Sequence, residues 1–115
     1  MAANPRKAAN PFLHGTLDAL ILKTLSRGKR HGYAIARWIE EETADDIQLE
    51  DGSLYPALYR LERRGLIEAG WGISELGRKA KIYRLTRKGR SRLAEETRQW
   101  QTFNVAVSKI LLASG

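Results

Sequence analysis

The chain has 115 residues, 43% of them hydrophobic and 29% charged, which suits a single domain with one small core. It has no cysteine, so disulfides and thiolate zinc sites are excluded, and its two histidines, His14 and His31, cannot form a metal site alone. No apolar run approaches the roughly 18 residues of a membrane-spanning helix, and residues 1–11 lack a signal-peptide core. We therefore expect a cytoplasmic protein without a membrane partner, metal or cofactor.

Positive charge is concentrated in one stretch of the chain. Residues 52–92 contain eleven Lys/Arg and three Asp/Glu, a net charge of +8, whereas the whole chain carries +7. Residues 33–51 carry −6, so the two signs are segregated. A surface with this much like charge repels itself. It is typical of proteins that bind a polyanion, most often DNA.

The amino-terminal segment, residues 1–14, is predicted to be a flexible arm because it is rich in Pro and Asn. Arg6 and Lys7 would let this arm touch a phosphate or the minor groove. A first helix is predicted after Thr16, its N-cap. Its apolar arc is so broad that we expect burial on two sides, one of them against a partner subunit. The arc comprises Leu13, Leu17, Leu20, Ile21, Leu22 and Leu25.

A second helix is predicted to open at His31-Gly32-Tyr33. Two interpretations stay open there: His31 and Tyr33 place the helix start against a phosphate, or His31 caps the helix and Tyr33 is a core ring. Acids at 40–42 oppose the helix dipole, so the last turn should fray. The piece 47–49 alternates like a minimal strand. The inner positions of the helix are assigned to Tyr33, Ile35, Ala36, Trp38 and Ile39.

A third helix is predicted with Ser53 as its N-cap and an end near Arg64, before Gly65. In that frame Pro56 is the third helical residue and breaks no hydrogen bond. The outer arc carries side chains suited to phosphates and base edges, and arginine can bind guanine through two hydrogen bonds. The alternative is a solvated face with buried tyrosine rings. The predicted DNA contacts on this helix are Ser53, Tyr55, Pro56, Tyr59, Arg60 and Arg63.

After Gly65 the hydrophobic period changes from helical to two, which predicts a two-stranded hairpin. The strands are assigned to 67–73 and 81–85, with a basic turn between them. Arg78, Lys79 and Lys81 are predicted to neutralise phosphates; the alternative is that they only keep an exposed turn soluble.

A long last helix is predicted after Thr86 as its cap. Its apolar residues repeat every seven positions, a seam that pairs with a partner helix. A second hypothesis makes Trp100 and Phe103, with Leu17 and Ile21, a slot for a small planar aromatic effector, although aromatic residues at this spacing are most often plain packing. The residues predicted for dimerisation are Leu13, Leu17, Leu93, Trp100, Phe103, Val107 and Ile110.

The predicted fold class is therefore mainly α with a small β-hairpin. The order of elements is that of a winged helix-turn-helix DNA-binding domain, residues 15–86, followed by a C-terminal dimerisation helix, residues 87–112.

Several motifs, in this order and spacing, resemble the PadR family of transcriptional regulators. They are His31-Gly32-Tyr33, the string from Gly52 to Glu62 (GSLYPALYRLE), Gly65-Leu66-Ile67, and Tyr83-Arg84-Leu85-Thr86 with Gly89. The resemblance implies a homodimer held by the first and last helices, and repression that a phenolic or drug-like effector often relieves. Trp100 resembles the tail-helix tryptophan of drug-binding members. One helix follows the hairpin, which is similar to the short-tailed branch.

The predicted function is a sequence-specific regulator that binds double-stranded DNA as a homodimeric repressor. The alternative is a winged-helix protein–protein adaptor that does not bind DNA. An enzyme is not expected, because the sequence shows no Gly-rich phosphate loop and no base partner for Ser53.

Overall fold

The computed structural model describes residues 12–13 and 15–114. The mainly helical architecture with a small sheet and a long last helix is confirmed. Most of the predicted arm, including Arg6 and Lys7, lies outside the described residues. The elements are α1 (Leu17–Ser26), β1 (Arg30–His31), α2 (Gly32–Glu42), α3 (Asp51–Arg63), β2 (Ile67–Ile73), β3 (Lys79–Leu85) and α4 (Arg87–Leu111).

The sheet has three antiparallel strands in the order β1-β3-β2, one strand more than the predicted hairpin. In β1, Arg30 lies opposite Tyr83 and His31 opposite Ile82. Two residues are too few for an alternating pattern, so the pairing of β1 depends on tertiary contacts. The strand predicted at 47–49 is wrong: these residues are irregular. Instead, Leu49 is buried and its N–H donates to Glu40 Oε2 over 3.1 Å.

The core lies where α1, α2 and α3 pack against each other and against the sheet. On α2 the assignment of Tyr33 to an inner position is wrong, because its side chain is 64% exposed. Trp38 is half-buried, with the Arg30 guanidinium 5.5 Å from its ring centroid. The fully buried large side chains are Ile21, Leu22, Ile35, Ile39, Leu54, Leu58, Leu61 and Ile67.

Helix α3 begins at Asp51, so the prediction of Ser53 as its N-cap is wrong. Glu50 is the N-cap, and its carbonyl accepts the N–H groups of Ser53 and Leu54, each at 2.9 Å. Pro56 is therefore the sixth helical residue, and its missing N–H leaves the Gly52 carbonyl without its helical partner. Gly52 is exposed, so water can hydrogen-bond to that carbonyl.

The first turn of α4 is hydrogen-bonded to the carboxyl end of α3. The predicted cap is confirmed, since the Gly89 N–H donates to Thr86 Oγ1 over 3.0 Å. The Thr86 hydroxyl donates to the Gly65 carbonyl over 2.8 Å, and Lys88 Nζ donates to the Arg64 carbonyl over 3.0 Å. These bonds satisfy carbonyls that the end of α3 would otherwise leave unpaired.

We expect Gly89→Ala to destabilise the fold by about 2 kcal/mol. A Cβ there would overlap the Leu66 carbonyl oxygen and lie 2.6 Å from Leu85 Cδ1, so the backbone of α4 would have to move. Overpacking of this kind costs up to about 3 kcal/mol, whereas alanine gains about 1 kcal/mol in helix propensity. The measurement is urea unfolding. Gly70→Ala is the control, because its Cβ would meet nothing within 4 Å; equal effects of the two changes would contradict the prediction.

Candidate nucleic-acid interface

On the outer face of α3, an exposed tyrosine and an exposed arginine are in contact. Gly52, Pro56, Tyr59 and Arg63 recur at spacings of four, three and four, so they share one face of the helix. Tyr59 is 61% exposed, and the Arg63 guanidinium lies 5.6 Å from its ring centroid. Arg63 Nη1 also donates to the Tyr59 hydroxyl over 3.4 Å. This contact restrains the arginine and leaves the rest of its guanidinium free for a base edge or a phosphate.

Arg60 lies on the flank of α3 that faces α1. Its Nη2 donates to Asp18 Oδ1 over 2.6 Å, and Arg64 Nη1 lies 3.6 Å from Asp18 Oδ2. The Arg60 side chain is 51% exposed, and an ion pair this exposed contributes about 0–1 kcal/mol, so a phosphate can compete for it. Sequence reasoning missed the pair because the two residues are 42 positions apart.

The hairpin β2–β3 forms the wing, and its three predicted DNA-binding cations differ in their contacts. Lys79 Nζ lies 5.1 Å from the Trp71 ring centroid, and Lys81 Nζ lies 3.8 Å from Glu62 Oε1 on α3. The Arg78 guanidinium makes no ion pair within residues 12–13 and 15–114. Arg78 and Lys79 are therefore free to meet phosphates, while Lys81 is partly neutralised.

A groove of about 800 Å³ separates the wing from the start of α2 and the middle of α3. Tyr33, Tyr55 and Tyr59 line it together with the wing lysines. The Tyr55 ring rests on Gly32, where a Cβ would lie only 2.8 Å from Tyr55 Cε1. A glycine at the start of α2 is therefore needed for this position of the ring. Most of the predicted DNA-binding residues border this groove or lie on the adjoining outer face of α3. Two do not: Arg60 lies on the flank toward α1, and Ser53 is exposed in the first turn of α3.

His31 caps α2, since its Nδ1 accepts the Ala34 N–H over 3.4 Å. That bond places the proton of a neutral imidazole on Nε2, which is buried and has no hydrogen-bond partner in the described part of the chain. The Tyr33 ring lies nearly parallel to the imidazole, at 7° and 6.3 Å between centroids. The cap interpretation of His31 is thus supported, and the core-ring interpretation of Tyr33 is wrong.

Tyr83 lines the groove, and only 6% of the residue's surface is exposed. Burial, then the charge of Glu62, then Tyr55, raise the pKa of Tyr83 above its ordinary value of 10.0. Because the pKa of Tyr83 is higher in the folded than in the unfolded state, protonated Tyr83 contributes fully to the free energy of unfolding at any pH below the unfolded-state pKa. That contribution is lost as the pH rises through the folded-state pKa.

We expect Tyr83→Phe to reduce the amount by which the protein loses stability as the pH rises above neutrality. The wild-type melting temperature should fall more than that of the variant between about pH 9 and pH 11, where an unfolded tyrosine ionises. Thermal melts across this range measure the difference. Tyr59→Phe is the control, because that ring is 61% exposed. Parallel curves for wild type and Tyr83→Phe would contradict the prediction.

The outer half of α4 presents apolar side chains to solvent. Trp100 is 51%, Phe103 67% and Ile110 78% exposed, and Val107 is half-covered. Leu13 and Leu93 instead pack against the core of this chain. Ile21 is fully buried there and Leu17 is 8% exposed, so neither lines an open slot with Trp100 and Phe103. Both side chains belong to the core, so in this chain the predicted slot reduces to Trp100 and Phe103.

Residues 12–13 and 15–114 contain neither a metal site nor a membrane span. No group of three or more His, Cys, Asp or Glu could hold a metal ion there. Within the same ranges, no helix has the length and hydropathy needed to cross a membrane.

Three helices packed against a three-stranded wing define the class of domain, a winged helix-turn-helix. Residues 21–95 match the model of the transcriptional regulator PadR-like family. The chain therefore belongs to that family, which confirms the resemblance seen in the sequence and the expectation that it is not an enzyme.

Relatives and solved structures agree with this assignment. The chain is 35% identical to an uncharacterized protein of Lysinibacillus sphaericus, over 77% of this chain and 82% of that protein. It is 36% identical to the transcriptional regulator YqjI of Escherichia coli over 76% of this chain, but spans only 41% of YqjI. The crystal structure of a PadR-like transcriptional regulator from Bacillus cereus superposes with a TM-score of 0.77 at 30% identity. That match covers 92% of this chain and all of the other.

Proposed function

We propose that this PadR-family regulator is a homodimeric repressor that binds double-stranded DNA sequence-specifically through α3 and the wing. The observation that carries the proposal is the exposed Tyr59–Arg63 pair on α3, whose tyrosine lines the same groove as Arg78 and Lys79 of the wing. A helix of this kind reads base edges in the major groove, while wing cations hold the phosphates beside it. Residues 52–92, with a net charge of +8, supply the attraction.

The homodimer is supported by the apolar face on the outer half of α4. Trp100, Phe103 and Ile110 are each more than half exposed. A contiguous apolar surface of this kind usually marks an interface. Two copies of α4 packed through this face would place two α3 helices on successive turns of a pseudo-palindromic operator, as other dimeric helix-turn-helix proteins do.

Relief of repression by a small planar aromatic molecule at the α4 seam is a further part of the proposal, with Trp100 and Phe103 as its contacts. The test is tryptophan fluorescence during titration with planar aromatic compounds. The chain has three tryptophans, so Trp100→Phe identifies the signal. If the quenching persists in that variant, or if no compound quenches, the seam is not the site.

The DNA-binding proposal is tested by selecting bound fragments from random duplexes. A repressor should enrich a pseudo-palindrome, and its binding to random DNA should weaken steeply with salt. A winged-helix adaptor would show little affinity for any duplex at any salt concentration. An unspecific architectural protein would bind but enrich nothing.

A further inference from the structure

The wing exposes three large apolar side chains to solvent. Trp71 is 66%, Ile73 71% and Leu76 81% exposed. Trp71 and Ile73 lie on β2, and Leu76 lies in the turn that joins β2 to β3. Charged side chains would keep such a hairpin soluble at no cost, whereas exposed apolar groups on one small element usually mark a contact surface. The partner of this surface has therefore to be sought outside the folded core.

The turn at the tip of the wing is closed by its own hydrogen bonds. The Gly77 N–H donates to the Ser74 carbonyl over 2.9 Å, and the Ser74 N–H donates to the Arg78 carbonyl over 2.8 Å. Gly77 has a φ of 74°, a left-handed conformation that glycine adopts without strain. The backbone at Leu76 is thus held without help from the leucine side chain, which is left free to contact a partner.

The charges beside Leu76 favour DNA as that partner. Arg78 has no carboxylate partner in the described part of the chain, and Lys79 contacts the neutral ring of Trp71. The acid next to the leucine, Glu75, opposes the approach of phosphates, but the two cations outnumber it. Proteins that enter the minor groove often insert an apolar wedge such as leucine between base steps, while basic side chains hold the DNA around it.

We propose that Leu76 enters the minor groove of the operator, inserts between two stacked base pairs and kinks the duplex. This inference rests on the proposed function, because α3 has to bring the wing to the DNA. Unstacking is least costly at flexible pyrimidine–purine steps, so the operator carries TA or CA/TG where the wing enters. The wing then adds sequence selectivity through the deformability of DNA, without a hydrogen bond to a base.

The test uses the full chain on a selected operator with fluorescent labels at both ends and 2-aminopurine at each pyrimidine–purine step in turn. Energy transfer should report a bend of roughly 20–90°, and 2-aminopurine should brighten at one step in each half-site. Leu76→Ser should lose both signals and raise the Kd about tenfold, because the buried leucine contact is gone. Leu76→Met keeps an apolar side chain and should retain both signals.

Arg78→Gln is the matched control on the same turn. It should make the salt dependence of binding shallower by about one unit of slope, yet leave the bend unchanged at saturating protein. Leu76→Ser should do the reverse, because it removes no charge. Both side chains are exposed, so both variants should fold. Replacing the unstacked step by a stiff A-tract should weaken the wild type more than Leu76→Ser.

The wedge is refuted if the bound operator stays straight, or if Leu76→Ser bends it as the wild type does. If Leu76→Ser leaves the bend intact and only lowers the mass measured by light scattering, the apolar wing surface contacts a second copy of the chain instead. A straight operator bound with sequence specificity leaves the proposed function intact, whereas failure to bind any duplex refutes both.

Discussion

Replacing Phe103 by glutamate is expected to give a monomer and to weaken binding to a two-half-site operator by about 100-fold or more. Phe103 is 67% exposed in the middle of the apolar face of α4. A carboxylate placed there would have to be buried without a partner when two helices pack, which is unfavourable. Loss of the dimer removes the gain from binding two half-sites at once, which is about 10²–10⁴ in affinity.

Val105→Glu is the matched control for this change. Val105 is also apolar and 55% exposed, but two positions along a helix place it on the opposite side from Phe103. Light scattering coupled to size exclusion gives the mass of each variant, and fluorescence anisotropy gives operator affinity. A dimeric Phe103→Glu protein, or two variants that dissociate alike, would show that α4 is not the interface in the proposed form.

Arg63→Ala is expected to weaken operator binding by about 1–3 kcal/mol, roughly 5- to 150-fold in Kd, if the arginine reads a guanine. Its guanidinium is held outward on the Tyr59 ring, so little conformational freedom is lost on binding. The loss should be larger on the operator than on random DNA, because a base contact carries the specificity. Competition gel shifts with both duplexes measure the difference.

Arg60 lies on the same helix, and we expect Arg60→Ala to weaken operator binding less than Arg63→Ala does. Its guanidinium already donates to Asp18, so it must give up that partner to reach DNA. Asp18→Asn removes this competition and should tighten DNA binding. The plot of log binding constant against log salt concentration should become steeper by about one unit of slope. If Arg60→Ala weakens operator binding more than Arg63→Ala does, the face of α3 that carries Arg63 is not the one that reads the bases.

The sequence predicted the features that depend on local periodicity. The buried leucines at 54, 58 and 61 follow helical spacing, and the change to alternation after Gly65 predicted the wing. The Thr86 cap was predicted because a hydroxyl at a helix start accepts a nearby N–H. The orientation of single side chains was less predictable. Tyr33 has an apolar ring in an amphipathic helix, yet it lies outside the core.

The sequence by itself determined the order of the elements and the basic character of the stretch that contains α3 and the wing. Both follow from neighbouring residues, because helix and strand periods and net charge are local properties of the chain. Only the tertiary structure decided which cations are free. Asp18 pairs with Arg60 across 42 positions and Glu62 pairs with Lys81, while Arg63 and Arg78 have no carboxylate partner within the described residues. It also formed the tyrosine-lined groove, by placing the wing beside the start of α2 and the middle of α3. Such contacts join residues far apart in the chain, and packing rather than local pattern selects them.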